Sequence, residues 1–240
     1  MSPGGPVPDL DFGRFDALTF DCYGTLIDWE AGISAGLRAV LGHLENGPTD
    51  DDLLERYARH EATLEAGPYR NYRAILGEAM RRVCAEFGVE PRDDDVARFA
   101  GRVGEWPAFS DSAEALRALA GRFRLGVITN CDDDLFADSN PRLGVTFDWI
   151  ITAEQARSYK PSLANFELAF ERIGLPRDRI LHVAQSLFHD HVPAKSLGLA
   201  TAWIDRRRDR PGFGATPPAE TTPDLIAADM VSFAEVALAS

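Results

Sequence analysis

Residues that can do chemistry follow four apolar runs of the sequence, either where a run ends or in the loop after it. They are Asp21, Thr25, Thr129, Asn130, Lys160, Gln185, Ser186, His189 and Asp190. An aspartate can attack an electrophilic carbon or phosphorus atom and form a covalent ester. A nearby lysine, here Lys160, favours the ionised and therefore reactive carboxylate. The set predicts a nucleophilic site built around Asp21.

Other members of the set suit the same reaction. Thr129 and Asn130 can hold a carboxylate or an oxyanion by hydrogen bonds, and Asp190 can orient Lys160 or activate the water that cleaves an ester. Taken alone, each residue has a simpler interpretation, because a strand-end aspartate often caps a helix or forms a turn. The sequence HDH at 189–191 is only a weak indication of a metal site. The order of the four signals along one sheet favours catalysis.

The apolar runs are short and alternate with helical patterns, which predicts parallel strands covered on both faces. The predicted strands are 17–20, 124–129, 148–152, 180–184 and 200–204, with helices at 111–121, 162–173 and 190–197. A last strand and a closing helix are expected in the sequence PDLIAADMVSFAEVAL. This pattern is typical of a doubly wound α/β sheet, in which ligands bind at the carboxyl ends of the strands.

One segment, residues 29–107, interrupts the alternation because it contains only helical patterns. Thr49 is expected to cap one of these helices, since aspartates fill the turn after it. The sequence therefore predicts a catalytic core formed by 1–28 and 108–240, with a helical cap domain inserted after the first strand. Such a cap leaves the sheet beside Asp21 and covers the strand ends.

The composition narrows the partners of the protein. The chain has 240 residues and a net charge of −13, which argues against nucleic acid and anionic membranes as partners. Three scattered cysteines, Cys22, Cys84 and Cys131, fit a reducing cytoplasm. No apolar run approaches the length of a membrane span, and the sequence MSPGGPVPDLD at the start predicts a flexible leader without the features of a signal peptide.

Four short motifs in this order resemble the haloacid dehalogenase superfamily. They are DCYGT, ITN, YKP and AQSLFHD, and the resemblance extends from about Phe15 to about Phe233. It implies a Rossmann-like core with a helical cap inserted after the first strand.

Within this superfamily, the residues after Asp21 resemble the 2-haloacid dehalogenase branch, whose pattern is D-x-Y-G-T-L-x-D. The phosphatases of the superfamily carry a second aspartate where this chain has Tyr23, and usually an acidic residue where it has Gln185. A halide needs no proton to leave, so that aspartate is dispensable. The resemblance implies that Asp21 displaces halide from C2 of a short 2-haloalkanoic acid and that water hydrolyses the ester, with no metal or organic cofactor.

The resemblance also assigns roles to individual residues. The catalytic set it implies is Asp21, Thr25, Lys160, Ser186 and Asp190, and the substrate-binding set is Cys22, Tyr23, Arg56, Thr129 and Asn130. Arg56 of the cap is expected to bind the departing halide, with Arg59, Arg70 and Arg73 as rivals. The fourth motif departs from the SSN of the dehalogenases, because AQSLFHD keeps a serine, Ser186, but has no asparagine.

Two alternatives stay open at this point. One is a Mg²⁺-dependent phosphatase of a small metabolite, and the other is a catalytically silent relative that binds a ligand. The leading interpretation is a cytoplasmic hydrolase with a small anionic substrate, and family analogy allows a homodimer.

Overall fold

The computed structural model describes residues 10–45 and 47–239. Most of the leader predicted for the first eleven residues lies outside this range. The described chain forms one sheet of six parallel strands. In chain order they are β1 Ala17–Phe20, β2 Arg124–Thr129, β3 Trp149–Thr152, β4 Ile180–Ala184, β5 Ala200–Ile204 and β6 Leu225–Ala227.

The strand order across the sheet is β3-β2-β1-β4-β5-β6. The chain therefore moves outward from β1 in one direction and then from β4 in the other. A crevice opens at such a switch point, outside the carboxyl ends of the two central strands. Asp21 directly follows β1, so the fold places it at that crevice. The prediction of a Rossmann-like, doubly wound α/β core is confirmed.

Helices cover both faces of the sheet. Ile128 and Ile151 pack with Phe166 on one face, whereas Leu18 and Val127 belong to the hydrophobic cluster of the other. The alternation follows from the two-residue period of a strand. The helices outside the insert are α5 Ser112–Ala120, α6 Asp133–Ser139, α7 Ala153–Ala156, α8 Ala164–Ile173, α9 Val192–Ser196 and α10 Met230–Ala239.

The insert between β1 and β2 is helical in the described residues. Its helices are α1 Trp29–Leu41, α2 Asp50–Glu65, α3 Tyr72–Glu86 and α4 Asp93–Gly101. Thr49 caps α2 as expected: its hydroxyl accepts a hydrogen bond from the Asp52 amide, and the Asp52 carboxylate accepts one from the Thr49 amide. This capping box satisfies two amides that the first turn of a helix leaves unpaired.

The two crossings between sheet and insert run side by side. Ile27 forms an antiparallel bridge with Ala108, and the Asp28 amide donates to the Pro107 carbonyl at 2.8 Å. The division into a core and a cap at these residues stays a prediction about domains. No helix in residues 10–45 and 47–239 combines the length and apolarity that crossing a membrane demands.

Candidate active site

The tight turn after β1 fixes the direction of Asp21. The Cys22 carbonyl accepts hydrogen bonds from the amides of Leu26 and Ile27, at 2.7 and 3.0 Å. Gly24 lies in this turn with φ +98°, a conformation that L side chains rarely adopt. A Cβ at this position would also come within 2.9 Å of the Trp29 indole nitrogen. The sequence YGT after the aspartate therefore has a backbone reason.

Lys160 lies at the centre of the site and is almost fully buried. Its ammonium nitrogen Nζ is 2.9 Å from Oδ1 of Asp21, 2.6 Å from Oδ1 of Asp190 and 2.8 Å from the Ile128 carbonyl oxygen. An ammonium has three protons, so these acceptors use all of its hydrogen bonds. Burial alone would lower the pKa of Lys160, but the two carboxylates raise it above its usual range. The lysine is therefore a cation.

The second oxygen of Asp21 is held by Thr25. The Thr25 hydroxyl donates to Oδ2 of Asp21 at 2.7 Å and accepts a hydrogen bond from the Gln185 amide at 2.9 Å. Because this amide can only donate, the hydroxyl proton is directed at the carboxylate. Burial raises the pKa of Asp21, and Lys160 and Thr25 offset part of that rise. The carboxylate is thus oriented at both oxygens, with remaining lone pairs for attack.

Asp190 is positioned by a π-helical turn, Leu187–His191, which follows β4. Its Oδ1 contacts Lys160 and also His182 Nε2, at 3.0 Å, while His182 Nδ1 contacts the Thr19 hydroxyl at 2.9 Å. Burial alone would raise the pKa of Asp190, but Lys160 and His182 hold it below its usual range. Its Oδ2 is buried without a hydrogen-bond partner in the described chain. This oxygen therefore keeps unused capacity to accept a hydrogen bond.

The structure brings most of the predicted site residues around one narrow cavity. The predicted residues that line it are Asp21, Tyr23, Thr129, Asn130, Lys160, Ser186 and Asp190. The Tyr23 hydroxyl lies 2.9 Å from the Ser139 hydroxyl. The Thr129 hydroxyl is buried without a hydrogen-bond partner among the described residues. Thr25 supports Asp21 from behind the cavity wall.

Two predicted substrate contacts do not lie in this cavity. The side chain of Cys22 is fully buried in the hydrophobic core. Arg56 forms an ion pair with Glu86 and lies over the ring of Phe87, on the outer side of α2. Arg56 therefore does not line this cavity, because its helix presents a different face to it, and its role as a halide ligand stays a prediction.

The rival arginines do not take the place of Arg56. Arg59 and Arg70 are exposed, and Arg73 forms an ion pair with Asp134. In the part of the chain that the structure describes, the residues that line the cavity include no arginine.

The helical insert contributes acids and aromatic rings that the sequence analysis missed. Glu61 and Glu65 of α2, Tyr72 of α3 and Trp29 of α1 line the cavity. Tyr57, Glu61 and Glu65 are spaced by four residues, so they share one face of a helix. That spacing could have revealed these acids in the sequence. Glu61 and Glu65 share a helix face with Leu53 and Tyr57, which are buried, so that face does not point to solvent.

The donor set at the strand ends differs from the one that a magnesium ion prefers. Mg²⁺ prefers anionic oxygen ligands in a near-octahedral arrangement, but the Lys160 ammonium lies between Asp21 and Asp190. The Gln185 side chain, at the position where a third acidic ligand is usual, accepts from the Thr216 hydroxyl at 3.3 Å. Across residues 10–45 and 47–239, no cluster of three or more His, Cys, Asp or Glu could hold a metal ion.

Comparison with known proteins agrees with this geometry. The family model described as haloacid dehalogenase-like hydrolase matches residues 15–187. An (S)-2-haloacid dehalogenase of Pseudomonas putida is 27% identical over 205 residues, which cover 81% of this chain and 86% of that protein. Haloacetate dehalogenase H-2 of Moraxella sp. (strain B) is 28% identical over 199 residues, covering 80% and 87%.

Solved structures show the same fold. The L-2-haloacid dehalogenase of Xanthobacter autotrophicus, with chloropropionic acid covalently bound, aligns with a TM-score of 0.77 at 20% identity. The alignment covers 92% of this chain and 98% of that one. The fold and the site together thus indicate a class of hydrolase that has a carboxylate at the end of its first strand. The chain belongs to the haloacid dehalogenase-like hydrolase family, and its relatives support the predicted 2-haloacid dehalogenase branch.

Proposed function

We propose that the protein is a hydrolytic dehalogenase of short 2-haloalkanoic acids, which releases halide and a 2-hydroxy acid. The observation that carries the proposal is the fixed Asp21 carboxylate, whose oxygens contact Lys160 and Thr25 at 2.9 and 2.7 Å. The names of the relatives supply the substrate class, since several are (S)-2-haloacid or haloacetate dehalogenases.

In the first step, a carboxylate oxygen of Asp21 attacks C2 of the substrate. A carbon–oxygen bond forms as the carbon–halogen bond breaks, and the bonding electrons leave with the halide. No proton is needed, which agrees with a tyrosine, Tyr23, where an acid would otherwise be required. Lys160 and Thr25 hold the carboxylate in line, so little orientation entropy is lost at the moment of attack.

In the second step, water attacks the carbonyl carbon of the Asp21 ester. The bond between that carbon and the oxygen that joins it to C2 breaks. The 2-hydroxy acid leaves with this oxygen, and the carboxylate re-forms with one oxygen from water. Asp190 lines the same cavity and is suited to accept the proton of this water, because its Oδ2 has no other partner in the described chain. Lys160 and His182 hold its other oxygen.

We propose that neither step uses a metal or an organic cofactor. The support is the donor chemistry described above, in which one lysine ammonium already pairs with both carboxylates. A Mg²⁺-dependent phosphatase would require an acidic set that this chain lacks at Tyr23 and Gln185.

Halide release from both enantiomers of 2-chloropropionate and from haloacetates, measured with EDTA present, tests the function. We expect release that EDTA does not affect, and a loss of about 10³-fold or more in Asp21→Asn. Asp178→Asn, a change at an exposed position, is the matched control and should keep full activity. A phosphate ester assayed in parallel with Mg²⁺ should give no phosphate, and phosphate release without halide release would favour the phosphatase.

A single turnover in ¹⁸O-labelled water tests the intermediate. We expect the label first in the carboxylate of Asp21, detected by mass spectrometry of the peptide that contains it. Label that enters the 2-hydroxy acid directly, with none in Asp21, would contradict the covalent ester.

A further inference from the structure

The wall of the cavity that the cap contributes is acidic. Glu61 is 2% exposed, and its Oε1 accepts hydrogen bonds from the hydroxyls of Tyr57 and Tyr72, at 2.7 and 2.9 Å. Glu65 lies one turn further along α2, with its side chain 5% exposed. A family member that acts on an anionic acid would be expected to present a cation here, and none of the described lining residues from the cap is one.

Glu65 lies between two groups of the core. The Asn130 amide nitrogen is 3.4 Å from both of its carboxyl oxygens, and Nε2 of His189 is 3.8 Å from Oε2. His189 Nε2 and the Thr129 hydroxyl are both buried without a hydrogen-bond partner among the described residues. All four residues line the same cavity as Asp21. Unpaired polar groups that converge on one cavity indicate a polar ligand group between them.

The charge of Glu65 decides what that ligand group is. An ionised Glu65 would repel a carboxylate, and Lys160 has no free proton to donate to that carboxylate. Burial, and then the neighbouring Glu61, raise the pKa of Glu65 well above its usual range, while Lys160 and Asn130 act in the opposite direction. The other titratable groups that face it are Tyr57, Tyr72, Tyr159 and His189, and burial lowers the pKa of His189 to about 4. The environment therefore favours an uncharged acid.

We propose that Glu65, as a neutral carboxylic acid, donates a hydrogen bond to the substrate carboxylate beside Asn130 and so determines specificity for acids. An O–H donor to a carboxylate oxygen forms a short, charge-assisted hydrogen bond. Glu65 would thus add a cap residue to the carboxylate contacts that were expected from Thr129 and Asn130. The identity of the substrate rests on the proposed function, whereas the contact itself can be measured without turnover.

The test is calorimetric binding of propionate, an unreactive analogue, to the intact chain over a range of pH. In the wild type, binding should weaken by about tenfold or more as rising pH ionises Glu65. Glu65→Gln, which keeps an uncharged donor, should lose much less affinity over the same range, and the loss that remains is the one that ionised Glu61 causes on the same wall. Glu65→Ala should bind weakly throughout. Glu171→Gln, at an exposed glutamate of α8, is the matched control and should follow the wild type.

Each contrary result has a definite meaning. An alkaline loss in Glu65→Gln as large as in the wild type, or a Glu65→Gln protein that melts normally but does not bind propionate, would overturn the proposal. Ethylammonium that binds the wild type more tightly as pH rises would show that Glu65 receives a cation instead. If the binding pattern holds but no haloacid releases halide, the proposed dehalogenation fails and the carboxylate contact stands.

Discussion

At the scale of single residues, the site depends on one buried ammonium shared by two carboxylates. Removing one partner of a buried ion pair leaves an uncompensated charge in a medium of low polarity. Lys160→Met should therefore lower the free energy of unfolding by about 3–5 kcal/mol near neutral pH, besides abolishing turnover. The loss should shrink in acid, where Asp21 becomes protonated. Urea unfolding monitored by circular dichroism measures both effects.

Lys195→Met is the control for that prediction. Lys195 contacts Asp224 at 2.8 Å, but both side chains are 32% exposed, so water screens the pair. Lys195→Met should therefore lower the free energy of unfolding by only about 0–1 kcal/mol. Similar losses in the two variants would mean that burial is not what gives Lys160 its importance.

The contacts of Asp21, Lys160 and Asp190 could be predicted from sequence, because the carboxyl ends of parallel strands meet at one edge of the sheet. Arg56 could not be placed in the same way. Its role was inferred from spacing within the cap, whereas the face of α2 that meets the cavity is set by packing against other helices. Buried Tyr57 and Leu53 mark that face, and they align with Glu61 rather than with Arg56.

At the scale of elements, helix α1 is held against its neighbours through glycines. A Cβ at Gly36 would lie 2.2 Å from the ring of Phe99, and one at Gly32 would lie 2.3 Å from Trp106. Gly36→Ala should therefore destabilise the protein by about 1–3 kcal/mol, since a packed core resists added volume. Gly101→Ala is the matched control, because its Cβ meets nothing within 4 Å. It should be neutral or mildly stabilising, and thermal unfolding of both variants distinguishes them.

Sequence patterns predicted the elements better than their arrangement. The apolar runs at 17–20, 124–129 and 180–184 became β1, β2 and β4 with the expected bounds. The order of the strands across the sheet depends on the connections between them, and the sequence of one apolar run does not determine those connections. Of the π-helical turn that positions Asp190, Leu187–His191, only residues 190 and 191 fell within a predicted helix. Such a turn widens the helix by one residue, and its sequence has no distinctive period.

At the scale of the whole molecule, acids removed from water determine how stability depends on pH. The chain carries a net charge of −13, so rising pH already adds repulsion. Glu61 adds a specific contribution. Burial raises its pKa from 4.5 to about 7, although Tyr57 and Tyr72 donate hydrogen bonds that favour the ionised form. The folded state therefore binds the Glu61 proton more tightly than the unfolded state does.

The sign of the pH dependence follows from this difference. Stability from the protonated Glu61 is fully present below the unfolded pKa and is lost as pH rises through the folded pKa of about 7. Between about pH 4.5 and about pH 7.5, we expect the ionisation of Glu61 to lower the free energy of unfolding by on the order of 2–3 kcal/mol. Glu61→Gln keeps an acceptor for both tyrosines and has no proton to lose. The wild type should therefore lose more stability than Glu61→Gln over this window in urea unfolding, and parallel curves for the two proteins would show that Glu61 titrates normally.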